Sequence, residues 1–193
     1  MKNKTLWTSE IAFLFLMALT IAAPAANAQA KHVRWDIITF DSGTFALPGG
    51  SLSATAVDGS QITFTGTGTF VMPASEKGKS DAVTGGGTWA IDTPSASGTY
   101  QVEGLVRYDE APGTLAGIGL TDSIGDINDT HAGLAIFSIL YSDGARGILL
   151  VSCNLFGTPS IVYEGVSASK GFVNFFAPVL TPSPDATLFH FDD

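Results

Sequence analysis

The densest group of potential ligand atoms in the chain lies at 121–131, Thr-Asp-Ser-Ile-Gly-Asp-Ile-Asn-Asp-Thr-His. Asp122, Asp126, Asn128, Asp129 and His131 crowd into it, with Asp109 and Glu110 just upstream. Hard cations take carboxylate, amide and carbonyl oxygens, so the chemistry these residues could do is to hold a structural Ca2+. The calcium-hand spacing is not met. Counted from Asp126, the sixth position is His131 where glycine is required, and the twelfth is Phe137 where glutamate is required. The competing reading is a solvated loop whose Asp and Asn side chains bond their own backbone. No other cofactor is indicated.

Catalytic constellations are thin. His32, His131 and His190 lack the close spacing of a zinc pair. There is no G-x-S-x-G elbow and no G-x-x-x-x-G-K-[ST] loop. Two carboxylates facing one cleft could hydrolyse a glycoside, but spacing alone cannot pair Glu103, Asp109, Glu110 and Asp122. Cys153, the single cysteine, shares strand parity with Leu149, Val151 and Leu155 and reads as core. The expectation is therefore a non-enzymatic module that binds a ligand or a partner. The alternatives are a barrel isomerase or cyclase on an apolar substrate, a hydrolase using carboxylates near 109–131, or a structural cell-surface or matrix protein.

Binding is suggested most by the run 132–156. Asp143-Gly144 fits a two-residue hairpin turn. Such a turn opposes Leu140 to Gly147 and Ile136 to Val151 on one face. It opposes Ile139 to Ile148 and Phe137 to Leu150 on the other. Both faces are apolar, so both need cover. Phe137, Ile139, Tyr141, Ile148 and Leu150 are the expected binding or interface residues. An apolar small molecule, a glycan or a second copy of the chain could supply the cover. Trp35, Trp89, Tyr100 and Tyr108 could stack on a sugar, but Tyr100, Tyr108 and Trp89 share parity with apolar neighbours and read as core. Thr63, Thr65, Thr67 and Thr69 form one outward row. Ice-binding surfaces need several such rows side by side, so one row is not enough.

These residues must be positioned by strands. The mature chain shows no amphipathic helix. Short alternating runs recur at 33–40, 51–57, 61–72, 83–91, 98–109, 114–120, 132–142, 146–156, 159–166, 170–176 and 186–191, separated by Gly, Asp and Pro turn signals. The expected fold is all-β: a single-domain antiparallel meander of about 9–11 strands closed as a β-barrel or stacked as a two-sheet sandwich. On the inner face of 61–72, Gly66 and Gly68 mark a bend or a close backbone approach. A polar loop is expected at 73–87. The glycine-rich strand rhythm resembles the calycin-like barrels, such as lipocalins and allene oxide cyclase-like proteins. No residue motif of those families is matched, so no site or activity is carried over.

The 193 residues hold 9 basic and 18 acidic side chains, and only 14% are charged. So few cations make a nucleic-acid partner unexpected. Lys2 and Lys4, the apolar run Ile11–Ala23 and the small residues around Ala26-Asn27-Ala28 read as a Sec-type signal peptide. Residues 1–28 are the expected leader, cleaved after Ala28, and 29–193 the expected β domain. The expected destination is secreted or periplasmic. No second long apolar run follows, so no membrane span is expected in the mature chain.

Overall fold

Alternating side chains become strands along most of the chain. The computed structural model describes residues 30–41, 44–72, 82–180 and 184–192. The expected leader and positions 73–81 of the polar loop lie outside the described residues. The strands are β1 (Lys31–Asp41), β2 (Phe45–Pro48), β3 (Leu52–Ala56), β4 (Gln61–Phe64), β5 (Thr67–Met72), β6 (Val83–Ile91) and β7 (Ala96–Ala111). They continue as β8 (Thr121–Asp122), β9 (Thr130–Tyr141), β10 (Arg146–Cys153), β11 (Gly165–Lys170), β12 (Val173–Pro178) and β13 (Asp185–Asp192). One 3-10 turn, Ile127–Asp129, precedes β9.

The ladders close a barrel by two routes. One runs β9–β10–β11–β12–β3–β4–β6–β7 and back to β9. The other runs β9–β13–β1–β5–β6–β7 and back to β9. If β4 and β5 are taken as one kinked strand, the result is a closed barrel of ten antiparallel strands with short additions. Of the two architectures expected, the barrel is the one found. Closure leaves few free strand edges.

The kink between β4 and β5 has a local cause. A Cβ on Gly66 would lie 2.2 Å from the Tyr100 hydroxyl oxygen and 2.9 Å from the Trp35 ring. The Tyr100 hydroxyl donates to the Thr65 carbonyl at 3.0 Å. Gly68 has the same character, with Trp35 Nε1 2.7 Å from a Cβ position. The close approach expected at these glycines is present. Two expected strands are loops instead. The segment 114–120 turns at Gly117 and Gly119, both with positive φ. The segment 159–166 is loop until β11 begins at Gly165.

The hairpin register also differs from the expectation. The connection has three residues, Ser142 to Gly144, with the Tyr141 N–H donating to Ala145 O at 2.9 Å and Gly144 at φ +86°. A turn ending in a left-handed residue matches the strand twist. Leu140 therefore pairs Arg146, Phe137 pairs Leu149 and Ile136 pairs Leu150. One residue of slip moves every side chain of a strand to the other face. Phe137, Ile139 and Tyr141 thus point inward with Leu149, Val151 and Cys153, all buried. Ile148 and Leu150 point outward.

The barrel interior is filled, not hollow. Phe137 packs on Trp35 at 5.2 Å and on Phe70 at 5.7 Å between ring centres. Phe64 meets Tyr100 edge-on at 5.4 Å, and Trp89 meets Tyr141 at 5.5 Å. Such edge-to-face pairs are the favoured geometry of aromatic cores. Trp35, Phe64, Phe70, Phe137, Phe175 and Phe189 are among the largest fully buried side chains.

Candidate functional site

The five residues of the metal candidate do not converge. Asp122 is buried and its Oδ2 lies 2.5 Å from Nε2 of the buried His190. Its Oδ1 accepts from the Ile124 and Gly125 N–H groups at 2.7 and 3.2 Å. Asp126 caps the 3-10 turn, accepting from the Asn128 backbone and side-chain nitrogens at 2.9 Å each. Asp129 lies in the first turn of that element. His131 sits on β9, paired with Glu110. Among the described residues no group of three or more His, Cys, Asp or Glu side chains is placed to hold a metal ion. The carboxylates are used instead to fold the loop on itself and onto β13.

That loop acts as a strap over the outer face of β1 and β13. The Ser123 hydroxyl donates to Ala46 O at 2.6 Å, and Arg34 Nη1 donates to Ile124 O at 3.0 Å. Arg34 also grips Asp36 through two contacts, Nε–Oδ2 at 2.8 Å and Nη2–Oδ1 at 3.0 Å. A Cβ on Gly125 would lie 2.7 Å from the His190 ring, so the strap rests directly on the imidazole. Alternation along β13 puts His190 on the face opposite Phe189 and Phe191. It is hydrogen-bonded there, but beneath the strap and out of solvent.

A surface cleft of about 640 Å3 opens beside the strap, lined by Glu110, Pro112, Thr114, Asn128, Thr130 and His131 among others. The partners come from adjacent strands, because β7 runs beside β9 with Glu110 opposite Gly133. His131 Nδ1 lies 3.2 Å from Glu110 Oε1. The imidazole stacks on Phe191 at 3.8 Å and 9° between planes. In the neutral imidazole, an Nδ1–H donated to Glu110 leaves the lone pair on Nε2. Both side chains are substantially exposed.

The outer face of β9–β12 carries the second candidate. Ile148, Leu150, Ala168 and Phe176 frame a cleft of about 470 Å3, with Ser167, Ser169 and Asn174 as its polar members. Phe176 is 60% exposed and Ile148 39%. Next to it, Leu134, Ile161, Val162 and Tyr163 contribute to a further cleft of about 320 Å3. Of the interface residues expected from sequence, only Ile148 and Leu150 reach this face. Phe176 was missed, although the neighbours Phe175 and Phe176 on one strand must point to opposite faces. On the outer edge Arg146 contacts Glu103, whereas the largely buried Lys170 turns to the inner side and contacts Asp143. Lys170 also lies 4.4 Å over the Trp89 ring.

Glu164 is a further residue that the sequence reading passed over. Its Oε2 accepts from the Asn154 N–H at 2.7 Å, and its Oε1 from the Thr187 N–H and hydroxyl at 2.6 and 2.8 Å. Burial pushes its carboxyl up to about 7, despite hydrogen bonds that pull it down. Beside it the Cys153 thiol donates to Thr187 O at 3.1 Å, and burial raises its pKa well above the ordinary thiol value. This cysteine is core, as its parity indicated, and not a reactive thiolate. Comparison with family models, with curated proteins and with solved structures finds no match to this chain.

Proposed function

We propose that the chain is an exported, non-enzymatic binding module that docks an apolar protein surface on the outer face of β9–β12, and that the occupant is a second copy of itself. The observation that carries this reading is the pairing of a filled barrel with an exposed apolar outer face. Aromatic rings occupy the interior, so apolar contact is left to the outside, where Ile148, Leu150 and Phe176 stand around an open cleft. Aromatic and aliphatic side chains grouped on a surface mark interaction sites. The rim favours a self-complementary pairing. In a two-fold interface residue i meets j and j meets i, and the outer edge carries both signs of charge in Arg146 and Glu103. The leader-like residues 1–28 support export.

The test is the mass in solution of the protein purified from its export compartment, by native mass spectrometry and sedimentation. A dimer is expected, and the double variant Ile148→Asp, Phe176→Asp should be a folded monomer with the wild-type circular dichroism. A wild-type monomer at high micromolar concentration overturns the proposal, as does a double variant that still dimerises.

One observation favours a second reading. Glu110 and His131 form a carboxylate–imidazole pair in the cleft of about 640 Å3, the arrangement of an oriented general base. In this reading the chain hydrolyses a small ester or amide. A turnover abolished by both His131→Ala and Glu110→Gln supports it, and turnover unchanged in either variant rejects it.

A further inference from the structure

We propose that the outer face of β3–β7 is an ice-binding surface, a site separate from the apolar face of β9–β12. The row Thr63, Thr65, Thr67 and Thr69 does not stand alone. On one side β3 presents Ser53 and Thr55, with Ser53 opposite Thr63. On the other side β6 presents Thr84 and Thr88, with Thr84 opposite Thr69. Beyond it β7 presents Ser97 and Thr99, with Thr99 opposite Thr88. Four neighbouring strands thus contribute hydroxyls that meet as Ser53–Thr63, Thr65–Thr88–Thr99 and Thr69–Thr84, with β1 instead of β3 beside Thr67 and Thr69, at spacings of about 4.8 Å across strands and about 6.7 Å along them.

The hydroxyls are organised. Ser53 and Thr63, Thr65 and Thr88, and Thr69 and Thr84 each meet at 2.7 Å between oxygens. In each pair one hydroxyl donates to the other, and Thr65 and Thr84 also accept from the Thr88 and Thr69 backbone N–H groups at 3.1 and 3.2 Å, which leaves the second hydrogen and the remaining lone pairs for an outside partner. Thr67 closes the array at its β1 side by donating to the buried Asp36 at 2.6 Å. Threonine is branched at Cβ and stiff at χ1, so little side-chain freedom is lost when the array is engaged.

The chemistry of the face selects the partner. The chain carries a net charge of −9, yet no Asp, Glu, Lys or Arg occurs in 53–55, 61–69, 84–90 or 97–101; the charges that border the face, Arg34 and Asp36 of β1 opposite Thr69 and Thr67, neutralise each other in an ion pair. An uncharged face complements an uncharged surface, so phosphates, metal ions and anionic lipids are poor occupants. Sugar stacking needs exposed rings, but Phe64, Phe70, Trp89 and Tyr100 of these strands are all buried. Protein docking needs large apolar side chains, and those stand on β10 and β12 instead. What remains is a rigid, neutral grid of hydroxyls that can both donate and accept, with methyl groups between. A partner made of the same alternating donors and acceptors at fixed spacing is frozen water.

The purified protein is tested for thermal hysteresis and for inhibition of ice recrystallisation. Activity is expected in the wild type and in Ile118→Lys, an exposed position in the 114–120 loop that lies on neither face. It should fall at least tenfold in Thr88→Lys and in Thr65→Lys, each placing a mobile charge in the centre of the grid. Circular dichroism and the unfolding midpoint of each variant show whether it is folded. No activity in the wild type overturns the proposal, as does full activity in both folded threonine variants. Retention on insoluble chitin or cellulose without any effect on ice also overturns it and reassigns the face to a polysaccharide.

Discussion

Glu164 places one carboxylate where two strands part. Along β13 the ladder to β9 covers only Phe189 and His190, and at Thr187 the backbone N–H would face an apolar interior with no partner. The Glu164 carboxylate accepts that N–H together with the one from Asn154, which removes two buried orphan donors. The cost is a desolvated carboxyl, whose pKa rises from 4.5 to about 7. The folded protein therefore holds a proton that the unfolded chain has already released. Its contribution to stability is complete below about pH 4.5 and is lost as pH rises towards and through about 7. The loss amounts to about 3 kcal/mol. Urea unfolding from pH 4 to 8 should show this as a decline in the wild type relative to Glu164→Gln. If the two proteins have parallel pH profiles, the decline belongs to another group.

At the scale of elements, the β9–β10 hairpin shows how one residue of turn length allocates a whole face. The alternation of apolar residues was legible, and so was the presence of a tight turn at Asp143-Gly144. Two-residue and three-residue turns share the same Asp-Gly signal, however, and both faces of this hairpin are apolar, so patterning could not arbitrate between them. Leu149 in the core should cost about 2–5 kcal/mol when changed to alanine. Ile148, one position away and facing out, should cost less than about 1 kcal/mol. Chemical denaturation of the two variants measures this, and equal costs would sink the observed register. The strap at 121–131 was legible only as a loop rich in Asp and Asn. That Asp122 seeks His190, sixty-eight positions away, is a tertiary event that no local spacing announces. Glu110 and His131 meet for the same reason, since pairing of β7 with β9 puts them side by side.

At the scale of the whole molecule, both closure routes share β6, β7 and β9. Neither part can melt and leave the other with a complete ladder, so unfolding should be one cooperative transition. Trp35 lies in β1, on one route, and Trp89 in β6, which both share. Fluorescence of single-tryptophan variants retaining Trp35 or Trp89 should give coincident midpoints, matched by far-ultraviolet dichroism. Separate midpoints would show that the two routes are independent units. The low charge of the chain also resolves at this scale. Charge is missing from the threonine rows of β3–β7 and from much of the outer face of β9–β12, which leaves two uncharged surfaces on one barrel. By itself the sequence determined the all-β class, the inward course of Trp89, Tyr100 and Tyr108 and the close approach at Gly66 and Gly68, because period-two alternation and glycine placement act over neighbouring residues. Only the tertiary structure decided the barrel over the sandwich, the hairpin register, the pairing of Asp122 with His190 and the meeting of Thr and Ser hydroxyls from neighbouring strands. Each of these depends on which strands lie side by side, and that is set by packing between segments distant in the chain.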